Sequence, residues 1–382
     1  MPGPPITRKE TVVSYSKPRV TDDVVTWKGT LTGRQTYRVG MQFSSPDARR
    51  FRPTGRPWLL AFLPAAMRLG DPVVVDGPID QGTVDNLMEW QEAQLLWHPR
   101  KYSVVPIRGD IERRPHQPKR GAGAITAFSG GVDSAFTLFR HSTASASSPF
   151  RSTDLSAGLM VHGFDIKKSN ETEFRTAYGR SERMLRAYGV TPYWLRTDLR
   201  KVGRALHYSW ARKSHGISLA AVLACYEQFF SHSIIPSSYP YNHQILPWGS
   251  TPMTDHLLGS ATRPVWHDGA SHDKLAKVSA FAHEAPIAAD LRVCFLGKQQ
   301  DRNCGTCFKC LTTQACFWIN GVDRPACFGD GASVNDLAGV ELADSYKILL
   351  ADRMRTAAAA ADRSDVVSAL TTALNKSTGA LT

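Results

Sequence analysis

Residues 124–140 read AITAFSGGVDSAFTLFR and combine three features in one short stretch. The run AITAF is typical of a buried strand, and AFTLFR has the apolar pattern that opens a helix. Between them lies SGGVDS, in which Gly130 and Gly131 allow the sharp turn that such a connection needs. We therefore predict a strand over Ala124–Phe128 and a helix that begins near Ser134.

The turn itself, residues 129–134, is suited to an anion. A helix that begins near Ser134 presents free N–H groups and the positive end of its dipole. Ser129 and Ser134 add hydroxyl donors, so phosphate or pyrophosphate can bind there. The spacing and the Gly-Lys-Ser/Thr ending of a Walker loop are absent, as is the dinucleotide fingerprint. A tight turn in which glycine serves geometry and serine caps the helix is the alternative.

The residues after this loop alternate between apolar strands and helices. The predicted strands are Leu159–Phe164, Tyr193–Arg196 and Ser233–Pro236, and the predicted helices are Glu171–Tyr188 and Ile217–Phe230. This alternation predicts an α/β fold, in which a doubly wound parallel sheet carries helices on both faces. We assign this domain to residues 119–330.

The preceding residues, 1–118, predict an α+β N-terminal domain. Short runs rich in Val, Thr, Tyr and Trp indicate strands, and two longer apolar patterns indicate helices. The predicted strands are Thr11–Tyr15, Val24–Gly29, Thr36–Phe43, Pro72–Val75 and Tyr102–Ile107, and the helices are Trp58–Arg68 and Thr83–Trp97. Residues 108–123 are basic and rich in helix breakers, which favours a linker.

The last residues, 331–382, predict a helical C-terminal tail. Tyr346–Ala361 and Val366–Leu374 have helical patterns, and the first of them is rich in alanine.

Composition points to a folded protein with an anionic partner. The chain has 382 residues, 42% of them hydrophobic, and its 46 Lys and Arg against 34 Asp and Glu give a formal net charge of +12. Nucleotides and nucleic acids are anionic partners of this kind, although a solvated surface is the commoner explanation. Arg49, Arg50, Arg52 and Arg56 are dense enough to bind phosphate, but we favour a solvated loop.

Nothing in the hydropathy pattern indicates a membrane protein. No apolar run approaches the ~18–20 residues that span a bilayer, and the first ten residues carry no apolar signal segment. We expect a cytoplasmic protein without a membrane partner.

Four of the seven cysteines, Cys294, Cys304, Cys307 and Cys310, follow the spacing C-x9-C-x2-C-x2-C. Such a group, here called the cysteine knuckle, predicts a closed structural zinc site. Four ordinary buried thiols and an iron–sulfur cluster are the alternatives, but the next cysteine is followed by phenylalanine and not by the proline of the ferredoxin run. The remaining three, Cys225, Cys316 and Cys327, are predicted to be core residues.

The string SGGVDS resembles the PP-loop of the N-type ATP pyrophosphatases. Those enzymes split ATP into AMP and pyrophosphate and adenylate their substrate. The resemblance implies that pyrophosphate is held by Ser129, Gly130, Gly131, Asp133 and Ser134. Because Asp133 is itself negative, we expect it to act through Mg²⁺ or by holding the loop.

The PP-loop and the cysteine knuckle together resemble the 7-cyano-7-deazaguanine synthase (QueC) family, over residues 124–325. In that family, ATP activates the carboxylate of 7-carboxy-7-deazaguanine and ammonia converts the adenylate to an amide. A second ATP then dehydrates the amide to a nitrile, and the knuckle holds zinc and shapes the substrate pocket. The resemblance implies ATP and Mg²⁺ as well as structural Zn²⁺.

The resemblance also suggests roles for residues outside the two motifs. Phe164 and Asp165, at the end of the second strand, would border the adenosine. A late lysine would reach the phosphates, and we prefer Lys274 to Lys277. The expected catalytic residues are therefore Asp133, Ser134 and Lys274.

Two later aspartates, Asp255 and Asp268, are candidates for contact with Mg²⁺ or the substrate. The chain departs from the family at Ser214–Gly216, which read Ser-His-Gly where the synthases carry an Arg–Asn pair. This departure falls at the site of the acyl acceptor.

The chain is also much longer than the biosynthetic synthases, and long N-terminal extensions occur in QueC-like proteins of anti-phage defence. Four functions follow: a ligase for ammonia or an amine, an enzyme that conjugates a deazaguanine to a protein or nucleic acid, a tRNA-thiolating enzyme, and a non-catalytic nucleic-acid-binding protein. We favour the ligase, with ATP and a small carboxylate as substrates. A macromolecular acceptor would bind through the basic N-terminal domain. We expect a homodimer or a component of a multi-protein system.

Overall fold

The structure is a computed structural model, and it describes residues 10–113, 123–142, 151–294, 299–329 and 331–378. Within these ranges the chain forms eleven strands and eleven α-helices. The strands are β1 (Thr11–Tyr15), β2 (Arg19–Thr21), β3 (Val24–Thr32), β4 (Thr36–Ser44), β5 (Val73–Asp80), β6 (Ile107–Glu112), β7 (Ala124–Ala127), β8 (Leu155–His162), β9 (Thr191–Thr197), β10 (Ser233–Pro236) and β11 (Val265–Asp268). The helices are α1 (Arg56–Leu69), α2 (Gln81–Trp97), α3 (Val132–Ser142), α4 (Glu171–Ala187), α5 (Arg200–Ala205), α6 (His215–Leu223), α7 (Lys274–Phe281), α8 (Ala285–Asp290), α9 (Phe308–Ile319), α10 (Ser345–Ala360) and α11 (Ser364–Thr378).

The last five strands form a parallel sheet in the order β11-β10-β7-β8-β9. The chain first moves outward from β7 to β9 and then crosses back to β10, so the direction of winding reverses between β7 and β10. In sheets of this kind, ligands bind at the carboxyl ends of the strands beside such a reversal. The prediction of an α/β fold with a parallel sheet is confirmed.

Helices cover both faces of this sheet. Ile125 and Ala127 of β7 lie in one buried cluster with α6 and α1. Ala124 and Phe128 lie in the other cluster, with α3, α4 and α7. Alternate side chains of one apolar strand therefore supply two cores, as expected of a strand that is buried on both sides.

The sheet continues into the N-terminal region. β4 pairs antiparallel with β9, where Met41 lies opposite Thr197 and Phe43 opposite Leu195. Beyond β4 the order is β3-β1-β5-β6, so all the strands belong to one mixed sheet of eleven. The division of the chain at residues 118 and 330 remains a prediction, and both residues lie outside the described ranges.

Arg56, one of the four clustered arginines, lies inside the fold and not on a solvated loop. It is 4% exposed, pairs with Glu227 and donates 2.6 Å to the carbonyl of Leu258. Its side chain thereby joins α1 to the parallel half of the molecule, whereas Arg49 and Arg50 are exposed.

The strand predicted at Tyr102–Ile107 is wrong in position, because β6 begins at Ile107 and continues to Glu112. Residues 108–112 are therefore strand and not linker, since β6 pairs in parallel with β5. Residues 114–122 of the predicted linker lie outside the described ranges. The helix predicted over Ile217–Phe230 ends at Leu223 and is followed by a 3₁₀ turn over Ala224–Tyr226.

The two helices predicted for the tail are confirmed as α10 and α11. Met354 of α10 and Leu370 of α11 lie in the same buried cluster as Phe317 of α9. No helix among the described residues combines the length and the apolar character needed to cross a membrane.

Candidate functional site

The SGGVDS loop joins the carboxyl end of β7 to the first turn of α3. Gly130 has a φ of +74°, a left-handed conformation that favours glycine. The Ser134 hydroxyl donates 3.1 Å to the Gly131 carbonyl, and the backbone N–H of Ser129 donates 3.3 Å to Ser134 Oγ. The loop is thus closed by its own hydroxyl groups, with the amino end of α3 directly behind it.

Lys277 holds this loop from α7. Its ammonium donates 2.7 Å to Asp133 Oδ1 and 2.6 Å to the carbonyl of Ser237, after β10. Lys277 is 2% exposed, whereas the Asp133 side chain is 41% exposed. One side of Asp133 therefore faces solvent, while the buried ammonium of Lys277 balances its charge.

Lys274, the lysine preferred from the sequence, lies elsewhere. Its ammonium donates 2.6 Å to Thr312 Oγ1 and 3.1 Å to the carbonyl of Lys309, both in α9. Burial lowers the pKa of Lys274 to about 8. Of the two candidate lysines, the structure places Lys277 on the loop and gives Lys274 a contact with α9.

Arg292 is a residue of this site that the sequence analysis missed. Its guanidinium donates 3.0 Å to the carbonyl of Ser129 and 3.0 Å to that of Gln300, and its backbone N–H donates 2.7 Å to the carbonyl of Gly130. It is 5% exposed, and burial lowers its pKa. Arg292 thus fastens the loop to the segment that carries Cys294. Its position two residues before Cys294 is the one feature of the sequence that indicates a role for Arg292 at this site.

A cleft of about 240 Å³ lies at the carboxyl ends of β7, β8 and β10. Its position agrees with the reversal between β7 and β10. The polar and charged groups that line it come from the SGGVDS loop, from the turn after β8, from the start of α6, from the connection between β10 and β11, and from the segment that carries the knuckle. They are Ser129, Asp133, Ser134, Asp165, His215, Ser238, Ser250, Arg292 and Lys309.

The turn after β8 forms an aromatic wall of the cleft. Phe164 is buried, and its ring centroid lies 4.7 Å from that of Trp210. Arg200 donates 2.7 Å to the Phe164 carbonyl and lies over the Trp210 ring at 4.7 Å. Asp165, next in the chain, is exposed and also lines the cleft. The structure thus brings Phe164 and Asp165 to the same cleft as the SGGVDS loop.

His215 lies where the sequence departs from the synthase pattern, and it lines the cleft. Its Nδ1 lies 3.0 Å from the carbonyl of Ala211. Burial lowers the pKa of His215, so the imidazole is neutral at pH 7. With Nδ1 as the donor to Ala211, Nε2 is an acceptor.

Asp255 is buried, and it is not among the residues that line the cleft. Its carboxylate accepts a hydrogen bond of 2.6 Å from Ser250 Oγ and one of 3.2 Å from the backbone N–H of Thr251, and it lies 2.8 Å from His267 Nδ1. These contacts fix the loop that supplies Ser250 to the cleft. The carboxylate of Asp255 thus holds this loop in place, and its contact with Mg²⁺ or substrate stays a prediction.

Asp268 is likewise buried, and it joins β11 to α3. It accepts 2.8 Å from Thr137 Oγ1 and lies 3.1 Å from Arg140 Nη1 and 3.3 Å from His141 Nε2. Burial opposes its ionisation, but His141, Arg140 and Thr137 together lower its pKa. Asp268 is not among the residues that line the cleft, and its contact with Mg²⁺ or substrate stays a prediction.

The four knuckle cysteines converge at the start of α9. All four Sγ atoms lie within 4.8 Å of one another. The Cys294–Cys307 and Cys304–Cys310 pairs are each separated by 3.8 Å. A tetrahedron with metal–sulfur bonds of ~2.3 Å has edges of about 3.8 Å, so the donor set and its spacing fit a four-coordinate metal.

Asn303 ties this knuckle to its surroundings. Its side-chain oxygen accepts 2.8 Å from the Val293 N–H, and its side-chain amide group donates 3.0 Å to the carbonyl of Leu291 and 2.9 Å to that of Cys327.

The predicted burial of Cys225, Cys316 and Cys327 is confirmed. The expected separation of cysteines into a knuckle and three core residues is thus present.

The arrangement can bind an anion at the loop and a planar group at the aromatic wall, with charges of both signs between them.

Comparison with known proteins returns no match: no family model, no curated protein and no solved structure matches this chain. Its function is therefore argued from these residues.

Proposed function

We propose that the chain is an ATP-dependent, AMP- and pyrophosphate-forming ligase that adenylates a carboxylate for attack by ammonia or an amine. The observation that carries the proposal is the SGGVDS loop, whose anion-binding turn faces the same cleft as Phe164 and Asp165. A nucleotide that lies across this cleft has its terminal phosphates at the loop and its adenosine at the aromatic wall.

In this reaction, a carboxylate oxygen attacks the α-phosphorus and forms a new P–O bond. The bond from the α-phosphorus to the bridging oxygen breaks, and pyrophosphate leaves with the electron pair. Donors of the loop and the amino end of α3 stabilise that leaving group. An amine then attacks the carbonyl carbon, and AMP leaves.

The likeness to the QueC family favours 7-carboxy-7-deazaguanine or a similar planar acid as the substrate. Trp210, which also lines the cleft, offers a ring on which a flat heterocycle can stack beside the adenosine at Phe164. Neutral His215, with an acceptor nitrogen, is suited to receive a proton from the attacking amine.

Two metals belong to the proposal. The cysteine knuckle fits Zn²⁺, which would stabilise the fold beside Arg292. Asp133 and Asp165 are the carboxylates among the described residues that line the cleft, and they are suited to hold Mg²⁺ with the phosphates of ATP.

The test is to incubate the purified chain with ATP, Mg²⁺, ammonium and 7-carboxy-7-deazaguanine, and to follow pyrophosphate and product mass together. Release of pyrophosphate that requires the acid supports the ligase. Asp133→Ala is the inactive control. If no carboxylic acid of this class elicits pyrophosphate, the substrate is rejected, and if ATP does not bind, the ligase itself is rejected.

A second candidate is conjugation of the activated base to a protein. It is favoured by the loop between β10 and β11, which supplies Ser238 and Ser250 to the cleft and also carries exposed apolar side chains. Tyr241, Leu246 and Met253 are 63%, 46% and 46% exposed. Exposed apolar groups beside a catalytic cleft are suited to a macromolecular acceptor. Pyrophosphate release that stops at the adenylate or amide, and resumes with a protein acceptor, would favour conjugation.

tRNA thiolation is disfavoured by the cysteines. That chemistry uses a redox-active pair or a cluster, whereas Cys225, Cys316 and Cys327 are buried and none of them lines the described cleft. Metal analysis of protein purified without oxygen tests this: zinc without iron contradicts the cluster route.

A further inference from the structure

The Ser-His-Gly sequence of residues 214–216, at the start of α6, is explained by the segment that packs against it. The backbone N–H of Gly216 donates 2.9 Å to the carbonyl of Gly249. A Cβ atom on Gly216 would lie 2.3 Å from the Gly249 oxygen and 3.0 Å from Ser250 Cβ, so only glycine fits there. This close approach places His215 and Ser250 side by side at the cleft, which both of them line.

The hydroxyl proton of Ser250 is already used inside the fold. Ser250 Oγ donates 2.6 Å to Oδ2 of Asp255, whose side chain is 1% exposed, and His267 Nδ1 lies 2.8 Å from the same oxygen. A carboxylate oxygen can only accept, so the serine and the histidine both donate to it. The oxygen of Ser250 therefore has only lone pairs left for a group in the cleft, and that group must be a donor.

His215 offers a second acceptor beside Ser250. Its Nδ1 lies 3.0 Å from the carbonyl of Ala211, and because a carbonyl cannot donate, Nδ1 carries the proton. Burial lowers the pKa of His215, so the ring holds only this one proton at neutral pH. Nε2 is then an acceptor. The ring centroids of Trp210 and Trp248 lie 6.3 and 5.6 Å from that of His215 and restrict its rotation.

Two neighbouring acceptors fit a small group that carries several donors. The oxygens of phosphates and of ionised carboxylic acids are acceptors, so the nucleotide and the acid do not satisfy this pair. Neutral ammonia does, because it has three N–H donors and one lone pair. When two of its N–H groups donate to Ser250 Oγ and His215 Nε2, the lone pair points away from both residues.

We propose that Ser250 and His215 bind ammonia and direct its lone pair toward the acyl carbon of the adenylate. The inference rests on the proposed function and deepens it by giving the second substrate a site. The nitrogen lone pair forms the C–N bond while the carbonyl π pair moves to oxygen, and one N–H proton passes to His215 Nε2. The C=O bond then forms again, and AMP leaves with the electron pair of its bond to the acyl carbon.

Adenylation and amination can be measured separately, because adenylation needs no ammonia. Acid-dependent exchange of pyrophosphate into ATP reports adenylation, and conversion of 7-carboxy-7-deazaguanine to its amide at varied ammonium reports amination. We expect Ser250→Ala to raise KM for ammonium about tenfold, because one hydrogen bond is lost, and to leave KM for ATP and for the acid within about twofold. A rearranged loop would change all three values.

Two further variants separate the roles of the pair. Ser250→Thr keeps the hydroxyl oxygen, so its KM for ammonium should stay within about threefold of the wild-type value. His215→Ala removes the proton acceptor as well as a binding group. It should therefore lower kcat for amide formation in addition to raising KM for ammonium, while pyrophosphate exchange continues.

Ser260→Ala is the matched control. Ser260 lies in the same connection between β10 and β11, is 6% exposed like Ser250, and lies 3.3 Å from Thr262 Oγ1. It is not among the residues that line the cleft, so its replacement should leave every KM unchanged.

Four results would overturn the inference. They are an unchanged KM for ammonium in Ser250→Ala, a raised KM for the acid in its place, a Ser250→Thr variant as impaired as Ser250→Ala, and a wild-type chain that exchanges pyrophosphate but forms no amide from ammonium. The second of these would place the serine on the heterocycle. A wild-type chain without acid-dependent exchange would instead reject the proposed function itself.

Discussion

The ammonium of Lys277 lies 2.7 Å from Oδ1 of Asp133 and joins α7 to the first turn of α3. Lys277 is 2% exposed and Asp133 is 41% exposed, so one partner is buried in the framework and the other faces the cleft. The pair sets the position of a loop carboxylate that would otherwise repel a bound phosphate.

Replacement of Lys277 tests this pair. Lys277→Met leaves the Ser237 carbonyl and Asp133 without their donor, so we expect the free energy of unfolding to fall by about 2 kcal/mol and pyrophosphate binding to weaken. Urea denaturation and calorimetric titration measure the two effects. The control is Lys376→Met, an exposed position on α11, which should stay within about 0.5 kcal/mol of wild type. Equal stability of the two variants would contradict the role given to Lys277.

The left-handed conformation of Gly130 makes a second prediction. Gly130→Ala strains the backbone and places a methyl group 3.1 Å from Ser181 Oγ, so we expect a loss of about 1–2 kcal/mol in stability and at least tenfold in pyrophosphate affinity. Gly189→Ala is the matched control. Gly189 has a φ of +72° and open space around it, so it should lose stability alone. Loss of pyrophosphate binding in both variants would mean that general destabilisation is the cause.

Loss of the metal should follow from one exposed thiol. Cys304→Ser removes one of four donors, and we expect metal content measured by mass spectrometry to fall from about one per chain and the melting temperature to drop. Cys225→Ala changes a buried cysteine outside the knuckle and should keep the metal. A Cys304→Ser variant with full metal content would refute the assignment of Cys304 as a ligand.

Asp268 predicts a pH dependence of stability. Its folded-state pKa lies below the unfolded value of about 3.9, so its ionised form stabilises the folded chain fully above that value. This contribution is lost as the pH falls through the folded pKa. The stability difference between wild type and Asp268→Asn should therefore shrink as the pH falls below about 4, as measured by urea denaturation. Asp110→Asn, on an exposed position of β6, should show no such trend.

The buried contacts of Arg56 indicate that it contributes more to the free energy of unfolding than the exposed arginines of the same cluster do. Arg56→Ala removes the nearer partner of the half-buried Glu227, which among the described residues keeps only Arg263 at 3.9 Å. It also leaves the Leu258 carbonyl without its donor, so we expect a loss of about 3 kcal/mol in the free energy of unfolding. Arg49→Ala, at an exposed position, should change stability by less than about 0.5 kcal/mol. Similar losses in both would show that Arg56 does not join α1 to the rest of the fold.

Much of the fold could be predicted because its signals are local. An apolar strand, two glycines and the start of an apolar helix occur together at residues 124–140, and the alternation that follows indicates the parallel sheet. The position of β6 could not be predicted from Tyr102–Ile107, because residues 108–112 are mostly polar and become strand only through pairing with β5. The pairing of β4 with β9 is likewise a contact between distant segments.

The same distinction applies to the candidate site. The loop and the knuckle are short motifs, so their residues were identified from the sequence. Arg292 and Lys277 contact the loop from positions more than 140 residues away, and no local pattern distinguishes Lys277 from Lys274. Asp255 and Asp268 lie in polar, glycine-bearing stretches of sequence, but their contacts with Ser250 and Thr137 form only once the chain is folded.

The pairing of β4 with β9 has a consequence for any partner of the N-terminal region. Strands that are hydrogen-bonded into one sheet cannot move independently, so the N-terminal strands keep a constant distance from the cleft. If this region binds a macromolecular acceptor, as the conjugation proposal requires, the reactive group of that acceptor has to lie at one fixed distance from its point of attachment. A shortened chain that begins between β6 and β7 would lack β4, so β9 would become an unpaired edge strand that can pair with other molecules.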